Sequence, residues 1–417
     1  MILKESRGVW PLLCLLMATV AVDAQEPLPR VAPEAVGLAA PRLDQVTDLL
    51  EEFVAAQRIA GAVVAVARRG RLAYLESVGV QDLETGAPMT ERSLFRIYSM
   101  TKAVTAIAAM ILLEEGRFDL SDPVSDFLPQ FGEVVVLKED GSTRAPSRPI
   151  RVEDLFLHTA GLSHRSSREY REAGVRSRAI TLPEFVDNIV RVPLRDDPGI
   201  RFRYSASPTV LGRLVEIWSG QPFDVFLEER VFEPLGMVDT RFWVTPEQRG
   251  RFTAVYASSE GTPLSPHRIE EVPFTESPAL LEGAVGLVST VPDFLRLAQM
   301  LLSGGTLDGV RILRESTVAR MTRNGLSESI LATRRGGSGW ALANVSIVVD
   351  AEAAEEGAHA GEYRWDGSAG TEFWVDPSTE TIVVTMWQSS PANPGRLRQR
   401  IRALVRQAIQ DEASDGS

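Results

Sequence analysis

The 417-residue sequence predicts an α/β protein of the α+β kind, an antiparallel sheet flanked by helices with a mostly helical subdomain. Three observations carry this prediction. β-rich runs lie near both ends of the chain, helical patterns fill most of the middle, and an amphipathic helix closes the sequence. The order strands, helices, strands, helix is what a sheet built from both ends of the chain would produce.

The elements are justified in order. "MILKESRG" carries Lys4 and Arg7, and an apolar run from Val9 to Val22 follows, with small residues at Val22 and Ala24 before Gln25. This reads as a signal peptide over residues 1–24, and the run is short for a membrane span. A retained anchor is the alternative. The expected location is secreted or periplasmic. Cys14 is the sole cysteine and lies in the apolar run, preceded by Leu13 where a lipoprotein signal wants a small residue. The mature chain should therefore hold no disulfide and no cysteine-ligated metal.

Leu43 to Val54 has helical spacing, and residues 60–80 form two β-rich runs joined at Arg69-Gly70, a hairpin pattern. A nearly uncharged helix follows. "VVVLKEDGSTRAP" reads as a short hairpin turning at Asp140-Gly141, and residues 150–300 read as mostly helical with Pro and Gly punctuation. Residues 339–350, 370–376 and 380–388 read as strands, and Gly395 to Ile409 as the final helix. One mature domain over 25–417 is expected, with its α/β part at about 30–98 and 285–412 and its helical part at about 99–284.

Apolar content of 44% and charged content of 24% are those of a soluble globular protein. A net charge of −12 argues against nucleic acid or an anionic membrane surface as partner. The Arg-rich stretch 165–178 also carries Glu and reads as a solvated face.

The chemistry is concentrated in "FRIYSMTKAVTAIAAMILLEEG", Phe95 to Gly116. Lys102 is the one charged residue between Ile97 and Leu113. Good helix formers begin at Ala103, and Gly116 stops the helix. Ser99 falls in the first turn, three residues before Lys102, so the two share a face beside small Ala103 and Ala106. An all-apolar helix is a buried one. Burial disfavours a charged amine, and a neutral amine can take a proton from a neighbouring hydroxyl. Ser-x-x-Lys alone occurs by chance about once or twice in such a chain. Only three of the 44 Lys and Arg residues are lysines, however, and Arg cannot act as a base. The lysine is kept where chemistry would need it.

Tyr204 is the second candidate, in the loop entering a helix whose N-cap reads as Ser207 and whose first residue reads as Pro208. A packed core tyrosine is its bland alternative. The four histidines, His158, His164, His267 and His359, lack metal-ligand spacing. No Gly-x-Ser-x-Gly elbow and no phosphate-binding glycine motif is present.

Together with residues 150–162, 204–240 and 286–313, the Ser99 block resembles the serine β-lactamase superfamily. The nearest part is the class C-like group that includes family VIII carboxylesterases and DD-peptidases. The resemblance implies a β-lactamase/transpeptidase-like fold, Ser99 as acylated nucleophile, and Lys102 and Tyr204 as general base and acid. It implies an oxyanion hole from the backbone N–H groups of Ser99 and Ser368. It aligns Trp365-Asp366-Gly367 with a Lys-Thr-Gly-like triplet, "HAG" at 359–361 being the alternative. Ala206 stands where the family has Asn and Trp365 where it has Lys, so Trp365, Asp366, Gly367 and Ala206 are the expected substrate-binding positions. Asp366 would repel anionic substrates unless it points away along the strand. The implied activity is hydrolysis of small carboxylic esters, without metal or cofactor. A β-lactamase or D-amino-acid peptidase of the same fold and a non-catalytic binding homologue are the alternatives. The partner is a small ester or lactam; no membrane span is expected in the mature chain, and the oligomeric state is open.

Overall fold

The computed structural model describes residues 27–410, apart from 165, 176, 178 and 269–273. The expected leader, with Cys14, lies outside the described residues. Helix α1 (Ala40–Ala55) buries the stripe Leu43, Val46, Leu49, Leu50 and Phe53. Strands β1 (Gly61–Arg68) and β2 (Arg71–Gly79) form the predicted hairpin. Arg69 (φ 53°) and Gly70 (φ 73°) both take the left-handed conformation that a two-residue hairpin turn matched to strand twist demands.

Five more strands complete the sheet: β3 (Ser338–Trp340), β4 (Ser346–Val348), β5 (Tyr363–Asp366), β6 (Glu372–Asp376) and β7 (Thr381–Trp387). The order is β3-β4-β5-β6-β7-β1-β2. Every neighbouring pair is antiparallel. β1, from the start of the chain, lies between β2 and β7, so both ends of the chain do build one sheet. Two details differ from expectation. Residues 339–350 are two short strands, not one run, because Ala341 N–H bonds back to Val345 O (3.0 Å) and Asn344 turns through φ 57°. β5 was not among the predicted strands, since "YRWD" is short and half charged.

The sheet is covered on both faces, which explains its uninterrupted apolar strands. Ala62, Val64 and Val66 of β1 face a core shared with α1 and the final helix. Val63, Ala65 and Ala67 face the larger core. Period-two alternation sends one strand into both. On the larger-core side lie α2 (Thr101–Glu114), α3 (Leu182–Ile189), α4 (Ser207–Ser219) and α5 (Val291–Leu302). α5 packs directly on the sheet, with Phe294 5.0 Å from Phe373 between ring centres. α6 (Leu397–Ala408) packs beside α1 on the other face. The middle of the chain is less helical than the pattern predicts. Among the described residues from 244 to 283 there are only a short 3₁₀ turn and two-residue strands.

Asp293, in the first turn of α5, is buried and accepts hydrogen bonds from Asp239 N–H and Thr240 Oγ1, both at 2.8 Å. Burial first, and then the nearby Asp239 charge, pushes its carboxyl up to about 6. The folded state thus holds this proton more tightly than the unfolded chain does. The stabilisation is complete below about pH 4 and is lost as pH rises through about 6. Asp293→Asn lacks that titration. In thermal melts, its Tm measured against the wild type should improve between about pH 4.5 and about pH 7.

Candidate active site

Tyr98 to Met100 form a single 3₁₀ turn that runs straight into α2. Tyr98 has φ 41°, an uncommon conformation for a bulky residue and a kink immediately before Ser99. Residues Thr101 to Leu112 are all buried, as an apolar helix without a polar face must be. Lys102 is 0% exposed. Its Nζ donates to Ser99 Oγ at 3.1 Å and to the carbonyl of Ala284 at 2.7 Å. The 283–284 segment that supplies this carbonyl is pinned from both sides. Thr105 Oγ1 of α2 donates to Gly283 O (2.7 Å), and Ala284 N–H donates to Thr209 Oγ1 of α4 (3.2 Å).

Tyr204 lies over the amine, with Lys102 Nζ 4.8 Å from its ring centre. Ser99, Lys102 and Tyr204 are therefore brought together. The entry to α4 differs by one residue from expectation. Ala206 is the N-cap and Ser207 the first helical residue, because Ala206 is already near helical geometry (φ −81°, ψ 7°). Ser207 Oγ instead bonds Ser205 Oγ at 2.7 Å.

Sequence reasoning missed His158. It is wholly buried, and it grips the backbone on both sides of Tyr204. Its carbonyl accepts from Arg203 N–H (2.8 Å), and its Nδ1 accepts from Ser205 N–H (3.1 Å). Desolvation, and then the Lys102 charge, hold the imidazole well below its usual range, so it stays neutral and Nδ1 stays an acceptor. A metal-ligand search finds no signal in an isolated histidine. The only available hint was its place in "LFLHTAGL".

The end of β5 meets the Tyr204 ring. Trp365 Nε1 donates to Tyr204 OH at 3.1 Å, and its ring meets Trp340 edge-on at 4.5 Å between centres. The next residue faces the other way, as strand alternation requires. The Asp366 carboxylate, expected near the substrate unless it points away along the strand, pairs with Arg398 of α6 on the opposite face. Burial pushes the Asp366 carboxyl up, and Arg398 opposes that shift. Ala206, another expected substrate contact, is 0% exposed.

Gly367, also expected at the substrate, is a backbone requirement. A Cβ there would lie 2.2 Å from Thr371 Oγ1 and 2.6 Å from Ile97 O, two residues before Ser99. Only glycine lets the strand end approach the turn that carries Ser99. Ser368 follows, exposed, and among the described residues its N–H has no hydrogen-bond partner. His359, the alternative triplet start, sits at the other end of the β5–β6 pair, where its Nδ1 meets Asp376 Oδ2 at 2.7 Å.

The fold and the family to which it points are those of serine hydrolases. The beta-lactamase family model matches residues 46–408, and the chain belongs to that family. Esterase EstB of Burkholderia gladioli is 31% identical over 368 residues, covering 82% of this chain and 88% of EstB. Protein Rv1367c of Mycobacterium tuberculosis (strain ATCC 25618 / H37Rv) is 33% identical over 362 residues, covering 82% of this chain and 89% of Rv1367c. Among solved structures, EstCE1, described as a hydrolase with promiscuous acyltransferase activity, superposes with a TM-score of 0.78 at 27% identity. That match covers 88% of this chain and 98% of EstCE1.

Gly367→Ala should fold less stably and lose about a hundredfold or more in kcat on an activated ester, since the strand end must retreat from Ile97. A variant that turned over ester at the wild-type rate would contradict the close-approach argument.

Proposed function

We propose that the protein is a carboxylesterase acting on small, uncharged carboxylic esters through an acyl-enzyme on Ser99. The observation that carries this reading is the 3.1 Å contact of Lys102 Nζ with Ser99 Oγ beneath Tyr204, next to a strand end that offers Trp365 in place of a cation. Ser99 Oγ attacks the ester carbonyl carbon and passes its proton to the Lys102–Tyr204 pair. The backbone N–H groups of Ser99 and Ser368 receive the oxyanion. The same proton goes to the departing alcohol oxygen as the C–O bond breaks. Water, deprotonated by the same pair, then attacks the acyl carbonyl, and Ser99 Oγ leaves with the proton.

Lys102 is wholly buried, and its Nζ stands within hydrogen-bond reach of Ser99 Oγ, where a proton acceptor for the attacking hydroxyl has to be. Trp365 donates to the phenol oxygen, which fixes the Tyr204 hydroxyl for both proton transfers. The indole also makes this wall of the cleft largely apolar, which suits a neutral acyl or alcohol group better than an anionic antibiotic. The name of esterase EstB supports ester chemistry over lactam chemistry. Among the described residues no helix is long and apolar enough to cross a membrane. Export from the cytoplasm is supported by the N-terminal sequence.

With p-nitrophenyl butyrate, Ser99→Ala and Lys102→Ala should each cost about 10⁴-fold or more in kcat, and Tyr204→Phe about 10² to 10⁴. Full activity in Ser99→Ala would end this reading. A chromogenic cephalosporin should be hydrolysed far more slowly than the ester; the reverse ranking would make the protein a β-lactamase.

A further inference from the structure

The amide that carries Ser368 N–H is held from behind, on the side of the sheet away from the cleft. Arg398 stands at the start of α6 and is buried, with 6% of its surface exposed. Its backbone N–H is fixed by Asn393 Oδ1 at 3.0 Å. Its guanidinium reaches the β5–β6 turn with two arms. Nη1 pairs with the Asp366 carboxylate. Nη2 donates to Gly367 O at 2.8 Å and to Thr371 O at 3.2 Å. Gly367 O also accepts from Gly370 N–H at 3.2 Å.

The carbonyl of Gly367 and the N–H of Ser368 are two ends of one amide group. Donors on the oxygen draw electron density from the nitrogen and make the N–H a stronger donor, and hydrogen bonds in such a chain reinforce one another. A cationic donor does this more strongly than a neutral one. The carbonyl of this amide carries two donors, one of them charged, while its N–H end has no partner among the described residues.

We propose that Arg398 is a positioning residue of the oxyanion site: it fixes and polarises the Gly367–Ser368 amide through Gly367 O, and Asp366 sets the place of the guanidinium. The proposal rests on the reading above, in which Ser368 N–H receives the oxyanion. It also gives Asp366 a task. The carboxylate at this triplet position faces the final helix to orient a cation, and it leaves the cleft to Trp365. A plain structural ion pair would predict that losing Arg398 harms every substrate alike. Polarisation of the oxyanion donor predicts a loss graded by how strongly the developing anion accepts a hydrogen bond.

Two substrates separate these cases: p-nitrophenyl butyrate and its thiono analogue, in which sulfur replaces the carbonyl oxygen. Sulfur is a weak acceptor and draws little from an N–H donor. With the full-length enzyme, Arg398→Gln should lower kcat on the oxygen ester about tenfold at nearly unchanged KM, well short of removing an oxyanion donor outright. The thiono ester should slow by less than about twofold, so the oxygen-to-sulfur rate ratio shrinks. Arg398→Lys keeps the cation but not the two-armed fork, and should shift the ratio in the same direction by less. Should the Gln variant fail to fold, the Lys variant decides by the same ratio. An unchanged ratio in a folded variant, including an equal fall on both substrates, overturns the proposal. Labelling by a fluorophosphonate probe checks the underlying reading separately. A wild type unlabelled at Ser99 overturns reading and proposal together, whereas labelled Ser99 with an unchanged ratio overturns only the role of Arg398.

Discussion

The burial of Lys102 is the constraint on which the site depends. An amine without solvent contact is costly unless neighbours replace the lost water. Here one neighbouring and two distant segments do so. Ser99 comes from the turn that leads into α2, Ala284 O from a loop held between α2 and α4, and the Tyr204 ring from the entry to α4. Each of these segments is held in turn. Thr105 and Thr209 hold the 283–284 loop, and His158 holds the backbone on either side of Tyr204. The interior of the helical region is therefore organised around one polar side chain as much as around its apolar residues.

The sheet meets this arrangement at a single point of close approach. Gly367 brings the end of β5 against Ile97 O, and Thr371 Oγ1 donates to the same carbonyl at 3.3 Å. That contact joins the last part of the chain to the turn that presents Ser99. Behind it, Arg398 ties the same hairpin to α6, so the final helix supports the cleft without lining it. Strand alternation makes this possible. Trp365 and Asp366 are adjacent in sequence but serve opposite faces of the sheet.

Much of the fold was legible in the sequence, for identifiable reasons. Arg69-Gly70 marks its hairpin because few residue pairs accept two successive positive φ angles. The apolar runs of β1 and β7 mark strands covered on both faces, and Gly116 marks the end of α2. The Ser99–Lys102 contact was legible because helical spacing makes residues three apart neighbours. β5 was not legible, because four residues with two charges carry no period. Nor was the helical share of the middle region, where Pro and Gly mark interruptions without saying how much chain each takes.

What the sequence by itself determined is therefore local: which segments pair into a hairpin, which helix is buried, and which hydroxyl and amine share its face. Helical and strand periods act over a few residues, and composition records them. What only the tertiary structure decided depends on segments that meet across the chain. Asp366 turned out to face Arg398, and Ala206 to lie beneath the surface. Buried His158 turned out to hold the Tyr204 loop, and Gly367 to touch Ile97. Those facts depend on which side of a strand faces a neighbouring helix and on how closely two backbones approach, and neither is written within any one segment.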